Sequence, residues 1–143
     1  MSTPTHIIDG LGTKNRVKVT KLGQLVTGVI EYDETTFLEL AEPDTAYNFY
    51  TPKAGQQFVI TGIFAVADKQ VSGNASATVI IYEATGEAET TISKVLLQTA
   101  MVQDQIQLFT PLNILVREGR FINAKTDDDD IHMTITGYYI PKL

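Results

Sequence analysis

The final strand-like segment is the feature that most constrains how this chain can fold. Side chains alternate from Ile131 to Ile140: one face carries Ile131, Met133, Ile135, Gly137 and Tyr139, and the other carries His132, Thr134, Thr136 and Tyr138. A period of two is typical of a half-buried β-strand. Before it, residues 112–126 read as two shorter strands separated at Glu118 and Gly119, followed by an acidic turn.

Short segments of the same kind recur along most of the chain. Strands are predicted at 47–50, 57–67, 76–84, 92–102, 105–109, 113–117, 120–125 and 131–140, with a short helix as the alternative for residues 92–102. Turn signals separate these segments, and no helical period is long enough to supply crossover helices. We therefore expect an all-β antiparallel sandwich or barrel, not a parallel α/β sheet.

The most hydrophobic predicted strand covers residues 57–67. Strict alternation would place Phe58, Ile60, Phe64 and Val66 on one face, and Val59, Ile63 and Ala65 on the other. A strand that is apolar on both faces is expected to be buried on both, in the core or under a neighbouring subunit. Gly62 in its middle predicts a bulge or a bend.

The N-terminal third has a different character. Residues 1–15 form a polar arm, which is either a frayed terminus or an anchor that orders against a partner. Residues 16–30 predict a hairpin, and residues 31–46 predict an acidic, irregular connection with a small apolar cluster. We therefore divide the chain into residues 1–50, an arm and hairpin with an anchoring role, and residues 51–143, the β-sandwich body.

Composition excludes several classes of protein. A chain of 143 residues is the size of one domain with its own core. The absence of cysteine excludes disulfides and thiolate metal sites, and it fits folding in a reducing cytosol. The sequence has no apolar run of membrane-spanning length and no recognisable secretory signal, so neither is expected. With a net charge of −6 and scattered basic residues, no general nucleic-acid binding is expected.

No catalytic, cofactor-binding or metal-binding residue is predicted. His6 and His132 are far apart in the sequence, so they cannot supply a histidine-rich metal site or a catalytic triad. The four carboxylates of Asp127–Asp130 are either a solvated tight turn or a Ca²⁺ site. Consecutive side chains in an extended chain point in alternate directions and the spaced calcium-loop pattern is missing, so the turn is favoured. The segment Gly10–Lys14 lacks the spacing of a phosphate-binding loop.

Aromatic residues cluster at two places. Tyr47, Phe49 and Tyr50 form one group, and Tyr138 and Tyr139 form the other. They are interpreted first as core and strand-face packing, with a subunit interface or a sugar-stacking surface as alternatives. Tryptophan, the usual platform for sugar stacking, is absent from the sequence.

Several segments together resemble a known group of proteins. They are IDGxGTxxxVxVTxxGxLV at Ile8–Val26, AEPDTAYNFYTPKAGQQFVITGI at Ala41–Ile63, VIIYEA at Val79–Ala84, LNILVxEGRFINAKTDD at Leu112–Asp128 and TITGYYI at Thr134–Ile140. This combination is similar to the small jelly-roll proteins encoded among the structural genes of tailed bacteriophages, some of which are capsid decoration (cement) proteins or head fibres.

The resemblance implies a jelly-roll sandwich with an extended N-terminal arm and hairpin. It also implies a virion structural protein that is made in the host cytoplasm and placed on the outer surface of the head. The expected partners are the major capsid protein and further copies of the chain, as a homotrimer, with no cofactor, nucleic acid or membrane.

Other classes of function remain as alternatives at this point. A receptor-binding component of the tail, fibre or neck would use exposed loops, and the polar loops 68–75, 85–91 and 126–130 are the candidates. An enzyme would need sheltered acids with separated pKa values or clustered histidines. The sequence supplies neither pattern, so we expect a protein that is not an enzyme.

Overall fold

The computed structural model of the chain describes residues 34–67, 76–102, 105–128 and 130–142. The chain divides into two compact units, Met1–Glu31 and Tyr32–Leu143, and every described residue lies in the second unit. The predicted arm at residues 1–15, the hairpin at 16–30 and the loop at 68–75 lie outside the described residues. The anchoring role expected of residues 1–50 stays a prediction.

The described residues form strands joined by turns. The strands are β1 (Glu34–Leu40), β2 (Tyr47–Tyr50), β3 (Gln56–Ala67), β4 (Ala77–Ala84), β5 (Lys94–Met101), β6 (Ile106–Phe109), β7 (Ile114–Leu115), β8 (Phe121–Thr126) and β9 (Ile131–Pro141). The segment predicted as either strand or short helix is the strand β5. Over the described ranges, no helix is long and apolar enough to cross a membrane.

The strands pair as nested antiparallel partners. β1 pairs with β9, β2 with β8, β3 with β6, and β4 with β5. The paired strands form two sheets, with strand orders β1-β9-β3-β6 and β2-β8-β4-β5. The short β7 also pairs with β3. Nested pairs divided between two packed sheets are the topology of a jelly roll. The predicted fold class, an antiparallel jelly-roll sandwich, is confirmed.

The core lies between the two sheets and is built from the inward faces of nearly all strands. It includes Leu40, Ile60, Ile63, Ile81, Met101, Ile122, Ile131, Met133 and Ile135, each exposing no more than 1% of its surface. The alternation predicted for the final strand is confirmed, since Ile131, Met133 and Ile135 are buried while the intervening side chains are partly exposed. β9 lies between β1 and β3, so it anchors the centre of its sheet.

A β-bulge in β3 changes which side chains face the core. Ile60 pairs with Gly137 and Gly62 pairs with Thr136, which leaves Thr61 as an extra residue. The predicted bulge near Gly62 is therefore confirmed, but the predicted faces of this strand are wrong. An extra residue shifts the alternation by one position. Phe58 and Ile60 face the core before the bulge, whereas Ile63, Ala65 and Ala67 face it afterwards.

The N-terminal boundary of the sandwich also differs from the prediction. Residues 34–40, expected within an irregular connection, are the strand β1 and pair with β9 along their whole length. The acidic composition masked a period of two, in which Leu38 and Leu40 pack on the core while Phe37 and Glu39 face outward. Both β1 and β2 belong to the two sheets, so the boundary predicted between residues 50 and 51 falls inside the sandwich.

Three aromatic rings join the two sheets at one end of the core. Tyr50 of β2 stacks on Phe58 of β3 with 4.1 Å between ring centroids, and Phe58 meets Tyr139 of β9 edge to face at 4.9 Å. The Tyr50 hydroxyl donates a hydrogen bond of 2.5 Å to the carbonyl oxygen of Ile135. These contacts confirm the packing interpretation for Tyr50 and Tyr139.

A substitution at Gly137 tests how tightly the core is packed around the three aromatic rings. A Cβ at Gly137 would lie 2.2 Å from the carbonyl oxygen of Val59 and 2.4 Å from the ring of Phe58. We expect Gly137→Ala to lower the free energy of unfolding by about 1–3 kcal/mol, because neither the backbone nor the enclosed ring can move freely. Urea denaturation measures this change. The matched control is Gly86→Ala, whose Cβ would meet its nearest neighbour at 3.8 Å; an equal loss in both variants would contradict the packing account.

The pKa of Tyr50 predicts how the free energy of unfolding changes at high pH. Burial raises the pKa of its hydroxyl to about 12 from an ordinary value of 10.0. The contribution of Tyr50 is therefore complete below pH 10 and is lost as the pH rises towards 12, since the unfolded chain releases this proton first. We expect Tyr50→Phe to be less stable at pH 7, by about 1 kcal/mol for the lost hydrogen bond, and to lose less stability between pH 10 and 12. Parallel alkaline curves for the two proteins would contradict this prediction.

Candidate functional site

The outward face of the sheet β1-β9-β3-β6 carries two registered rows of mainly uncharged side chains. Antiparallel pairing places Phe37, Thr134, Phe64 and Leu108 side by side in one row. The neighbouring row contains Glu39, His132, Val66 and Ile106. Side chains directly opposite one another on adjacent strands are close enough to form one continuous surface. We call these eight residues the outward apolar face.

The largest side chains of this face are open to solvent. Phe37 exposes 60% of its surface, Phe64 39%, and Ile106 and Leu108 63% each. Single exposed apolar residues are common on soluble proteins, but contiguous apolar patches of more than a few hundred Å² mark interaction sites. The arrangement therefore makes this face the strongest candidate for binding another protein surface.

The orientation of β6 places two exposed aliphatic side chains, Ile106 and Leu108, on this face. Its polar residue, Gln107, points inward, where it accepts a hydrogen bond from the Thr99 hydroxyl and donates one of 2.7 Å to the carbonyl oxygen of Ala100. These contacts tie β6 to β5 of the other sheet. Because successive side chains of a strand point to opposite faces, the inward position of Gln107 places Ile106 and Leu108 outward.

The opposite sheet differs because a loop of the same chain packs on its outer surface. The side-chain amide of Asn123 lies 3.0–3.2 Å from the carbonyl oxygens of Gly86, Glu87 and Glu89. The Tyr82 hydroxyl donates a 2.8 Å hydrogen bond to the Glu89 carbonyl, and the Lys125 ammonium contacts the Thr90 carbonyl at 3.1 Å. The polar loop predicted at residues 85–91 is therefore held down on its sheet.

Charge lies at one corner of the outward apolar face. His132 Nε2 is 3.9 Å from a carboxylate oxygen of Glu39, and the His132 ring meets Phe37 edge to face with 5.8 Å between centroids. His132 is thus part of a surface cluster on β1 and β9. Among the described residues, no group of three or more His, Asp or Glu side chains converges in a way that could hold a metal ion.

The acidic turn is more buried than predicted. Asp128 and Asp130 expose only 5% and 8% of their surfaces, so the expectation of a fully solvated turn is wrong. Asp127 accepts a 2.6 Å hydrogen bond from the Thr78 amide, and Asp130 has a φ of 56°. The hydrogen bond between Asp127 and Thr78 joins the turn to β4, so the turn folds back on the sandwich. The sequence alone does not reveal this tertiary contact. Asp129 lies outside the described residues.

A shallow cleft opens at the end of the sandwich near the aromatic cluster. It has a volume of about 390 Å³ and is lined by Pro52, Lys53, Ala54, Glu118 and Gly119. Its two charged side chains are occupied in ion pairs, Lys53 with Glu34 at 3.2 Å and Glu118 with Lys142 at 2.6 Å. Lys53 also lies 3.8 Å from the centroid of the Tyr139 ring. We therefore interpret these charged side chains as structural links between neighbouring segments of the chain.

Among the described residues, the most deeply buried carboxylate also has a structural partner. Glu83 is fully buried at the end of β4, where one oxygen accepts a 3.0 Å hydrogen bond from the backbone amide of Arg117 and the other accepts one from its guanidinium group. A buried carboxylate requires such compensation. This pair fixes the turn between β7 and β8 to the second sheet.

Comparisons with known proteins give distant structural likenesses. No protein-family model matches the chain, and no curated protein matches it. A protein of the Bacillus endospore appendages, described as a family of disulfide-linked pili, is similar with 11% identity and a TM-score of 0.47 over 78% of this chain and 88% of that one. A chain from infectious bursal disease virus, Gx strain, is similar with 11% identity and a TM-score of 0.32 over 78% of this chain and 32% of that one. The strand topology described above, not these likenesses, defines the fold.

A substitution at Asn123 tests whether this side chain holds the loop on the second sheet. We expect Asn123→Ala to lower the free energy of unfolding by about 1–3 kcal/mol, because it removes the buried amide that bonds to three carbonyl oxygens of the loop. Hydrogen exchange of residues 84–93 should accelerate more than exchange in β3 or β9. The control is Asn48→Ala, which removes one partner of Asn123 and leaves the three loop contacts in place. Uniform acceleration over the whole sandwich would show that the loop is not held by Asn123.

Proposed function

We propose that this chain is a structural protein of a tailed-bacteriophage virion, a capsid decoration (cement) protein that binds the outer surface of the head. The proposal is supported by the resemblance of segments between Ile8 and Ile140 to phage jelly-roll structural proteins. The observation that carries it is a jelly-roll sandwich in which a loop of the same chain packs on one sheet and the other sheet presents an apolar face. Such a module is suited to being fitted against other protein surfaces.

The proposed partners are the major capsid protein and further copies of this chain in a homotrimer. A decoration protein adds binding energy to a shell at many equivalent positions. Linking several modest contacts makes the later ones intramolecular, so the total affinity exceeds that of any single contact. A symmetric assembly of a small domain is a direct way to obtain this gain.

We further propose that the protein is not an enzyme and binds neither nucleic acid nor membrane. Support comes from the structural roles of its charged groups. Lys53, Arg117 and Lys142 each pair with a carboxylate, which offsets the positive charge that phosphate binding needs. The buried Glu83 is engaged by Arg117, as described above, and general acid–base catalysis requires a carboxyl group that can exchange protons with a substrate.

The copy number of the protein per virion tests the proposed location. Decoration of the whole head predicts a number comparable to that of the major capsid protein, measured by quantitative mass spectrometry of purified particles. A handful of copies would contradict head decoration and would favour the alternative, a tail, fibre or neck component with a receptor-binding role.

A binding experiment with heads that lack this protein complements the count. Purified full-length chain should bind such heads to saturation and raise the temperature at which they release DNA. A thermally shifted profile without saturable binding would not be expected of a specific decoration protein. The same heads with an unrelated acidic protein of similar size provide the control.

A further inference from the structure

We propose that Gln105 and Gln107 protect the edge of β5 from pairing with a strand of another molecule. Their side-chain amides bond to backbone groups that such a strand would use. The inference goes beyond the proposed function, because it concerns how this edge of the sandwich is closed, wherever the protein resides.

The sequence and position of β5 make it prone to pairing with another chain. It is an edge strand of its sheet over the part of the chain that the structure describes. Residues 95–102 read VLLQTAMV, without a charge, a proline or a glycine. Val95 and Val102 expose 45% and 44% of their surfaces. An uncharged apolar strand at a sheet edge is a template for strand addition, so we expect a feature that closes it.

The pairing of β4 shows which backbone groups of β5 face this edge. The Thr78 amide of β4 donates a 2.6 Å hydrogen bond to the Asp127 carboxylate, and its carbonyl accepts one of 3.2 Å from the Asp127 amide. Both backbone groups of Thr78 therefore point away from β5. Ala100 lies opposite Thr78, and residues paired in this way turn their backbone groups away from each other. The N–H and C=O of Ala100 consequently face the open edge, together with those of Gln98 and the N–H of Val102.

Two glutamine side chains bond to these groups at the end of β5. The Gln107 amide donates a 2.7 Å hydrogen bond to the Ala100 carbonyl. The Val102 amide donates one of 3.2 Å to the side-chain oxygen of Gln105. The Thr99 hydroxyl donates to the side-chain oxygen of Gln107 and so holds that side chain in place. A carboxamide has a donor and an acceptor end, like a peptide group, so the glutamines take the place of a neighbouring strand.

The position of β6 brings these glutamines to the edge. β5 and β6 are consecutive strands at the edges of the two opposing sheets. Gln107 pairs with Ala65, whose side chain is buried, so Gln107 points inward and reaches β5. The backbone amide of Gln105 also donates a 3.1 Å hydrogen bond to the Val102 carbonyl. Since the Gln107 contacts join the two sheets as well, the experiment must separate protection of the edge from stability.

Removal of both amides tests the inference. At equal concentration, the full-length variant Gln105→Ala/Gln107→Leu should associate about tenfold faster than the natural protein, because a strand can pair with β5 without first displacing two hydrogen bonds. Time-resolved light scattering measures the rate. The matched control is Thr99→Val, which removes a bond between the sheets and keeps both glutamines. It should associate at the natural rate even where urea denaturation shows a loss of stability.

Hydrogen exchange, measured residue by residue, identifies the strand that pairs. In the associated double variant, the amides of Gln98 and Ala100 should exchange more slowly than in its monomer, because both face the open edge. The amides of Thr99 and Met101 face β4, so their exchange rates should stay the same. Aggregation of unfolded chains would not produce this alternation.

A charge at the middle of the edge provides a rescue. The Gln98 side chain is exposed, so Gln98→Lys should not disturb the fold. Added to the double variant, it should return association to the natural rate, because antiparallel pairing of two copies about this position would bring like charges together.

Several results would overturn the inference. A double variant that associates no faster than the natural protein would show that the glutamines protect nothing. Equal acceleration by Thr99→Val would assign their effect to stability alone. Slow exchange of the Gln98 and Ala100 amides in the natural monomer would show that another segment already covers the edge. None of these measurements uses phage heads, so this inference and the proposed function fail separately.

Discussion

The β-bulge at Thr61 determines the character of both faces of the sheet that contains β3. Without the extra residue, one alternation would run through the whole strand, and Phe64 and Val66 would follow Phe58 and Ile60 into the core. The bulge moves Ile63 and Ala65 inward instead and leaves Phe64 and Val66 outside. One irregular residue thereby fills the core with smaller side chains and creates the centre of an apolar outer surface.

Other contacts preserve that arrangement on both sides of the sandwich. Gln107 bonds to β5 and so fixes the inverted orientation of β6, which adds two exposed aliphatic side chains to the same surface. On the opposite sheet, Asn123 holds the loop between β4 and β5 over the strands. The sandwich thus has one sheet with a loop of the same chain bonded to its outer surface and another sheet whose outer surface exposes apolar side chains.

Much of the fold could be predicted from the sequence because period-two segments and turns are local signals. The final strand, the bulge near Gly62 and the antiparallel sandwich were all accessible in this way. The faces of β3 were not, since the position of one extra residue reverses every later side chain. β1 was not predicted because it begins with three polar residues, Glu34–Thr36. The burial of Asp128 and Asp130 was not predicted because it depends on tertiary contacts. The outward apolar face was missed because apolar alternation in β6 normally indicates a core-facing side.

The most direct measurement for this account is hydroxyl-radical footprinting of the full-length protein, first free in solution and then bound to heads that lack it. If the outward apolar face binds a protein surface of the head, oxidation of Phe37, Phe64 and Leu108 falls together on binding, while Val95 on the other sheet keeps its reactivity. Unchanged oxidation of these three residues in the bound protein, or protection confined to the sheet that contains Val95, would contradict the central role given to this face.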